Sequence, residues 1–230
     1  MHEAVGTTFM NPRELLTSGA LKLGVILTNE QVDSFFVYSA ELRKWNRKIN
    51  LTSITDERDV IVKHLLDSLS YLKGFAPSAG LRLLDMGSGA GLPAIPLKIA
   101  CPELSVTLVE SVKKKASFLR HVIRTLPLDQ AEVKDVRIEE LPETVRKSYD
   151  VVTARAFSDI RSAVAAGVIF LKPGGVMVLS RGGGETAEES SLLNLDVVCE
   201  SIQKVVLPHS NYKRAIWILR KHTINSDRRD

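Results

Sequence analysis

The stretch Leu83-Leu84-Asp85-Met86-Gly87-Ser88-Gly89-Ala90-Gly91, followed by Leu92-Pro93, decides the fold of this 230-residue chain. A short apolar run closes on an acid, three glycines alternate with small residues, and a helix is expected to start near Leu92-Pro93. That order reads as a buried strand entering a tight turn and leaving as a helix. Glycine allows the sharp turn and lets a ligand approach the main chain, while the helix N-terminus favours a carboxylate or phosphate. In an open α/β sheet, ligands bind at the carboxyl ends of such strands.

Outward from the turn, the chain after residue 80 alternates short apolar runs with helical stretches. Strands are expected at 81–87, 105–110, 131–135, 150–155 and 175–181, then at 197–207 and 214–221 without a good helix between the last two. Five strands with crossover helices and a closing antiparallel hairpin give an α/β fold with a seven-stranded, mostly parallel sheet. Before residue 73 the apolar spacing is helical. Pro12 can open a first helix, and Thr28 with Gln31 fits a capping box for a second reaching about Lys48. Asp56 can cap a third through Lys73, with Ile61, Val62, Leu65, Leu66, Leu69 and Leu72 on one side. His64, Asp67 and Tyr71 fall beside them as a polar stripe. The expected organisation is a helical extension over residues 1–76 packed on a sheet domain over 77–230.

Composition limits the function classes. Hydrophobic residues make up 44% and charged residues 25%, which is globular and excludes a disordered or fibrous chain. The longest run without polar side chains, Ala163 to Leu171, is shorter than the ~20 residues a membrane span needs. The Met1-His2-Glu3 start shows no secretory leader, so a cytoplasmic protein with no membrane partner is expected. Cys101 and Cys199 lie far apart without metal-ligand spacing, so neither a disulfide framework nor a metal site is expected. The net charge of +4 permits an anionic partner without demanding one.

The glycine pattern separates ligand classes. A dinucleotide fingerprint needs its third glycine three residues after the second; here it comes one residue early, at Gly91, with Leu92 in its place. No Gly-Lys-Ser/Thr follows, which excludes a P-loop. The D-x-G-x-G-x-G pattern, with the acid Glu110 ending the next strand, resembles the S-adenosylmethionine site of Rossmann-like methyltransferases. The alternative is a glycine turn that serves only strand–helix packing. Amino methylation of adenine or cytosine is disfavoured because Thr153-Ala154-Arg155-Ala156-Phe157 replaces the usual proline pair after the fourth strand. Methylation at cytosine carbon 5 needs a cysteine nucleophile, and neither cysteine is well placed.

An ordered set of segments then resembles one family, the bacterial 16S ribosomal RNA guanine-N7 methyltransferases (RsmG, formerly GidB). These are Trp45-Asn46, Asn50-Leu51-Thr52, His64-Leu65-Leu66-Asp67-Ser68, Asp85 to Pro96, Arg137-Ile138-Glu139-Glu140-Leu141, Ala154-Arg155-Ala156 and Pro173-Gly174-Gly175. Departures occur at Leu92, where the family usually has Phe, at Ala94, at Val136-Arg137-Ile138-Glu139 and at Arg181. The resemblance implies S-adenosylmethionine as cofactor and a guanine in the 530 loop of 16S rRNA, within the 30S subunit, as substrate. It places Asp85, Gly87, Gly89, Leu92, Glu110, Ile138, Glu139 and Arg155 at the cofactor, with Ile138 and Glu139 flanking adenine. Arg155, His64 and Asp67 are candidates for positioning the guanine, with a helix polar stripe as the competing account of the last two. Guanine N7 carries a free lone pair, so an obligatory general base is not expected.

Basic side chains cluster in three places. Lys113, Lys114, Lys115, Arg120 and Arg124 form one, Lys204, Lys213, Arg214, Arg220 and Lys221 a second, and Arg43, Lys44, Arg47 and Lys48 a third. Lys113, Lys114, Lys115, Arg120, Lys213 and Arg214 are the expected phosphate contacts. A monomer is expected. Two rival functions stay open at this point: an S-adenosylmethionine enzyme with a small-molecule or protein target, and a cofactor-sensing RNA-binding protein without turnover.

Overall fold

The computed structural model describes residues 10–155, 159–182 and 192–223. Met1-His2-Glu3, and Ala156 and Phe157 after the fourth strand, lie outside them. The helical part comes first. Helix α1 (Pro12–Lys22) starts with Pro12 inside a capping box between Asn11 and Glu14. Helix α2 (Asn29–Asn46) starts from the Thr28–Gln31 box and stops one residue after Trp45, short of the expected Lys48.

The third helical stretch is continuous over 57–73 but changes character. It begins as α3 (Glu57–Val60) under the Asp56 cap, widens to a π-helix at Ile61–Leu66, and returns to α4 (Asp67–Leu69). It ends as a 3-10 turn at Ser70–Lys73. The wide turn puts the second half out of phase with a regular 100° helix, and such π turns cluster at functional sites. The polar stripe is docked rather than solvated: His64, Asp67, Ser68, Ser70 and Tyr71 are all buried.

Seven strands follow: β1 (Arg82–Met86), β2 (Ser105–Val109), β3 (Ala131–Lys134), β4 (Tyr149–Arg155), β5 (Leu171–Gly182), β6 (Val197–Val206) and β7 (Lys213–Lys221). Their order in the sheet is β3-β2-β1-β4-β5-β7-β6. Strands β1 to β5 pair in parallel, and β7 inserts antiparallel between β5 and β6. Strand β5 starts four residues earlier than its apolar run because Leu171 pairs with Tyr149 before an irregularity in the register. Crossover helices are α5 (Ala94–Ala100), α6 (Lys113–Thr125) and α7 (Ile160–Gly167).

Both faces of the sheet are covered, which is why its strands read as unbroken apolar runs. Successive side chains go to opposite faces. Leu83, Val151, Val176 and Val178 join a core with α1, α2, α5, α6 and the 57–73 stretch. Leu84, Val152, Met177 and Leu179 join a second core beneath α7. Contact between α1 and the 57–73 stretch is close: a Cβ on Gly19 would lie 2.4 Å from Leu66 Cδ1. The helical extension therefore lies over one face of the sheet and reaches the end where β1 and β4 finish. No helix among the described residues is long and apolar enough to cross a membrane.

Candidate functional site

The glycine turn leaves the central strand β1, whose last residue Met86 pairs with Val109 of β2 and Ala154 of β4. Gly87 has φ +66° and nothing within 4 Å of a built Cβ, so its open face borders the crevice. Gly91 has φ +89° and a different reason to lack a side chain: a Cβ would meet Ile95 Cγ1 at 2.5 Å and Leu119 Cδ2 at 3.0 Å. Three bonds fasten the turn, two from the end of β2 and one from α2. Ser88 N–H donates to Val109 O (2.9 Å), Gly89 N–H to Glu110 Oε2 (2.8 Å), and Tyr38 of α2 donates its hydroxyl to Ala90 O (2.7 Å).

Asp85 lies beside this turn with no solvent exposure. Its Oδ1 accepts from Thr153 Oγ1 at 2.8 Å, and its Oδ2 has no partner. Burial pushes its carboxyl up to about 7; bonds from Thr153 and Ser88 and the Arg155 charge oppose the rise, and Glu110 adds to it. An unpaired buried carboxylate oxygen is costly and marks a place where a donor belongs.

Arg155 ends β4, two residues beyond Thr153 and so on the same side of the strand. Its Nη2 donates to Lys63 O at 2.7 Å and meets Asp67 Oδ2 at 3.1 Å. Its Nη1 is buried and unpartnered. Asp67, only 1% exposed, also accepts from Arg214 Nε at 2.9 Å. One buried carboxylate thus holds two arginines from different strands. His64 shares a hydrogen bond at 2.7 Å with Thr52 Oγ1 through Nε2, and its Nδ1 faces Lys63 O (3.1 Å) and Arg155 (3.4 Å). Burial first, and then the Arg155 charge, lower its pKa to about 4, so the imidazole is neutral at pH 7. Both ring nitrogens are already engaged within this network.

A cavity of about 210 Å³ lies on the other side of the glycine turn, lined in part by Met86, Gly87, Ser111, Ile138 and Glu139. Ile138 is buried and Glu139 is exposed in a 3-10 turn (Ile138–Glu140) just after β3. Glu110 is 6% exposed, and its two oxygens take the Gly89 and Val112 amides at 2.8 and 2.7 Å. Leu92 is buried in the core beneath the turn.

The basic clusters separate. Lys113 and Lys114 are exposed and Lys115 half-buried in the first turn of α6, which carries no acid and no side-chain cap. Arg120 pairs with Asp135 at 3.5 Å. Lys213 is exposed while Arg214 turns inward to Asp67. Lys221 is buried, with its ammonium on Val168 O and Leu171 O, and Arg220 pairs with Glu200. Nothing in the sequence marked Thr153 or Tyr38 as functional, and Thr52 stood out only as part of the Asn50-Leu51-Thr52 segment, with no role attached. Thr153 carries a weak signal in hindsight, as a hydroxyl in a core strand opposite Asp85.

The arrangement can be tested against S-adenosylmethionine. The methionine end of that molecule carries an ammonium and a carboxylate, and its adenosine is flat and apolar on its faces. Asp85 Oδ2 and Arg155 Nη1 are unpaired buried atoms of opposite character on adjacent strands. Gly87 and Ile138 border one cavity that could take the adenine, with Glu139 at its wall. The residues fit. Solved structures similar to this one agree at the level of fold. A S-adenosylmethionine-dependent methyltransferase from Aquifex aeolicus superposes with TM-score 0.56 at 14% identity, over 79% of this chain and 97% of that one. A TYW2 protein from M. jannaschii, solved with S-adenosylmethionine, gives 0.57 at 13% identity over 77% and 80%.

Sheet order, glycine turn and flanking acids define the class of Rossmann-like, S-adenosylmethionine-dependent methyltransferases. A family model described as rRNA small subunit methyltransferase G matches residues 31–217. A Geobacter metallireducens protein named ribosomal RNA small subunit methyltransferase G is 42% identical over 211 residues, covering 90% of this chain and 95% of its own. The chain belongs to the rRNA small subunit methyltransferase G family.

Proposed function

We propose that this protein transfers the methyl group of S-adenosylmethionine to N7 of a guanine in the 530 loop of 16S rRNA, presented by the 30S subunit in the cytoplasm. Family membership supports the reaction class. The single structural observation that carries the site is that Asp85 Oδ2 and Arg155 Nη1, on the adjacent strands β1 and β4, are both buried and unpartnered. When bound, S-adenosylmethionine supplies an electrophilic methyl on a sulfonium centre. Asp85 receives the methionine ammonium and Arg155 the carboxylate, while Ile138 and Glu139 border adenine. Glu110, held in place by the Gly89 and Val112 amides, would accept from the ribose hydroxyls.

Arg155, His64 and Asp67 line the methyl-transfer end. Guanine N7 needs no deprotonation, so these residues orient and desolvate the base. A neutral His64 suits that task because it adds no positive charge next to a sulfonium. The guanine must be presented unstacked or in a loop, since the deep major groove of RNA hides N7. Three lysines in the first turn of α6 oppose the helix dipole, a local cost that phosphate contact offsets. On this reading residues 1–76 are a helical extension packed on the core and residues 77–230 the methyltransferase domain.

Incubating the protein with methyl-labelled S-adenosylmethionine and unmodified 30S subunits, then digesting the RNA, tests the reading. Labelled 7-methylguanosine is expected. Absence of label in RNA overturns it, and binding of both ligands without transfer identifies a sensor instead.

A further inference from the structure

Two segments singled out in the sequence, Trp45-Asn46 and Asn50-Leu51-Thr52, have no part in the cofactor crevice. They build a separate cavity of about 330 Å³ whose wall includes Leu42, Asn46, Thr52, Ile54 and Val60. Its making is local. Asn46 Oδ1 accepts the Leu51 and Thr52 amides (2.8 and 3.0 Å), and its Nδ2 donates to Thr52 O at 2.8 Å. Three hydrogen bonds from one side chain fix the loop that faces α2, so the cavity is shaped by contacts local in sequence rather than by chance packing.

The lining combines an aliphatic wall with guanidinium groups. Leu42 and Val60 are buried, while Arg43 and Arg47 stand exposed at the same cavity. Arg43 has only a 3.4 Å contact to Glu57, and Arg47 makes no ion pair among the described residues. A flat, apolar group that carries an anion complements such a lining. An unstacked nucleobase with its phosphate has that chemistry, and guanidinium planes stack on bases as well as pair with phosphates. The volume is at the lower end of the ~300–1,000 Å³ typical of ligand pockets, which suits one base.

Position supplies the second argument. Thr52, in the cavity wall, bonds His64 at 2.7 Å, and His64 in turn faces Arg155 at 3.4 Å. The cavity therefore backs onto the polar chain that ends at the methyl-transfer crevice. We propose that it receives a base of the substrate RNA flanking the target guanine, with the adjoining phosphate on Arg43 and Arg47. This rests on the function proposed above and extends it by naming a second, non-reacting nucleotide site. Holding a neighbour in its own pocket would anchor the strand through a nucleotide that takes no part in the chemistry, adding binding energy equally before and during transfer.

Thr55 is exposed at the same cavity, so filling it from the rim leaves the core untouched. Thr55→Trp, with Thr55→Phe as a second filling variant, and Arg47→Ala are compared with the wild type in methyl transfer to 30S subunits. S-adenosylmethionine binding to the free protein is measured alongside. Each variant is expected to raise KM for the subunit roughly tenfold with kcat and cofactor affinity held, the pattern of lost ground-state binding. A KM raised by Arg47→Ala but unmoved by both filling variants overturns the pocket in favour of plain phosphate attraction. Normal KM in all three variants overturns it outright. A wild-type protein that transfers no methyl to RNA fails the underlying reading instead, so the two failures are distinguishable.

Discussion

The Asp67 carboxylate holds Arg155 at 3.1 Å through one oxygen and Arg214 at 2.9 Å through the other, in a setting where Asp67 is 1% exposed. Two cations share one buried anion, and the arginines keep about a fifth of their side-chain surface. Removing one partner of a buried pair typically costs ~3–5 kcal/mol, because the remaining charge is left unsatisfied. Asp67→Asn keeps the shape and one acceptor oxygen, so it is expected to cost about 3 kcal/mol in urea unfolding. An unchanged midpoint would show that the two arginines find other partners.

Arg155 makes a second kind of demand. One guanidinium reaches Lys63 O, Asp67 and an unpaired direction at once. A lysine is a point charge and cannot span that fork. Arg155→Lys and Arg155→Ala are both expected to lower kcat/KM by on the order of 100-fold. Arg214 still holds Asp67 through Oδ1 in each, and Arg155→Lys leaves a cation near Oδ2, so the lysine variant should lose much less stability than Asp67→Asn while losing transfer. Rescue of transfer by lysine would mean that charge alone suffices.

Asp85 links pH to both stability and binding. Its folded pKa of about 7 lies above its ordinary 3.8. The folded protein therefore binds the extra proton between those values, and the stability this contributes is full below 3.8 and lost as pH rises through 7. At pH 8 the ionised carboxylate sits in the free protein with Oδ2 unpaired. Asp85→Asn is expected to stabilise the free protein at pH 8 by on the order of 1–2 kcal/mol, read as a raised Tm, yet weaken S-adenosylmethionine binding. Wild-type cofactor affinity should tighten from pH 6 to pH 8, since only the ionised acid attracts an ammonium. Calorimetry showing pH-independent affinity would remove Asp85 from that role.

Lys113, Lys114 and Lys115 open α6 where the helix dipole disfavours cations. Lys113→Glu is expected to stabilise the protein by ~0.3–1 kcal/mol while weakening its hold on RNA. Replacing all three by Gln should flatten the dependence of log affinity for 30S subunits on log salt by roughly two to three units. A slope equal to that of the wild type would leave these lysines as solvated surface.

Much of the framework was legible because its causes are local. The Thr28–Gln31 box, the Asp56 cap and the Gly91-to-Ser88 bond inside the glycine turn each span three residues. The seven strands announced themselves as apolar runs because both sheet faces are covered. The 57–73 stretch was only half legible: its start was marked by Asp56, but the π turn at Ile61–Leu66 shifted the phase on which the polar stripe had been reckoned. Clustered basic residues were also a partial guide, since Lys221 is buried and Arg214 serves Asp67.

By itself the sequence determined the strand–turn–helix at Asp85 to Gly91, the succession of elements and, through its ordered motifs, the family. Those features depend on short-range geometry and on which residues exclude water. Tertiary structure alone decided that Asp67 would meet Arg214 across 147 residues, that Asp85 and Arg155 would each keep one buried atom unpaired, and that Thr52 would join His64 behind a second cavity. Such contacts are set by how helices dock on a sheet, and no residue pattern along the chain encodes the distance between them.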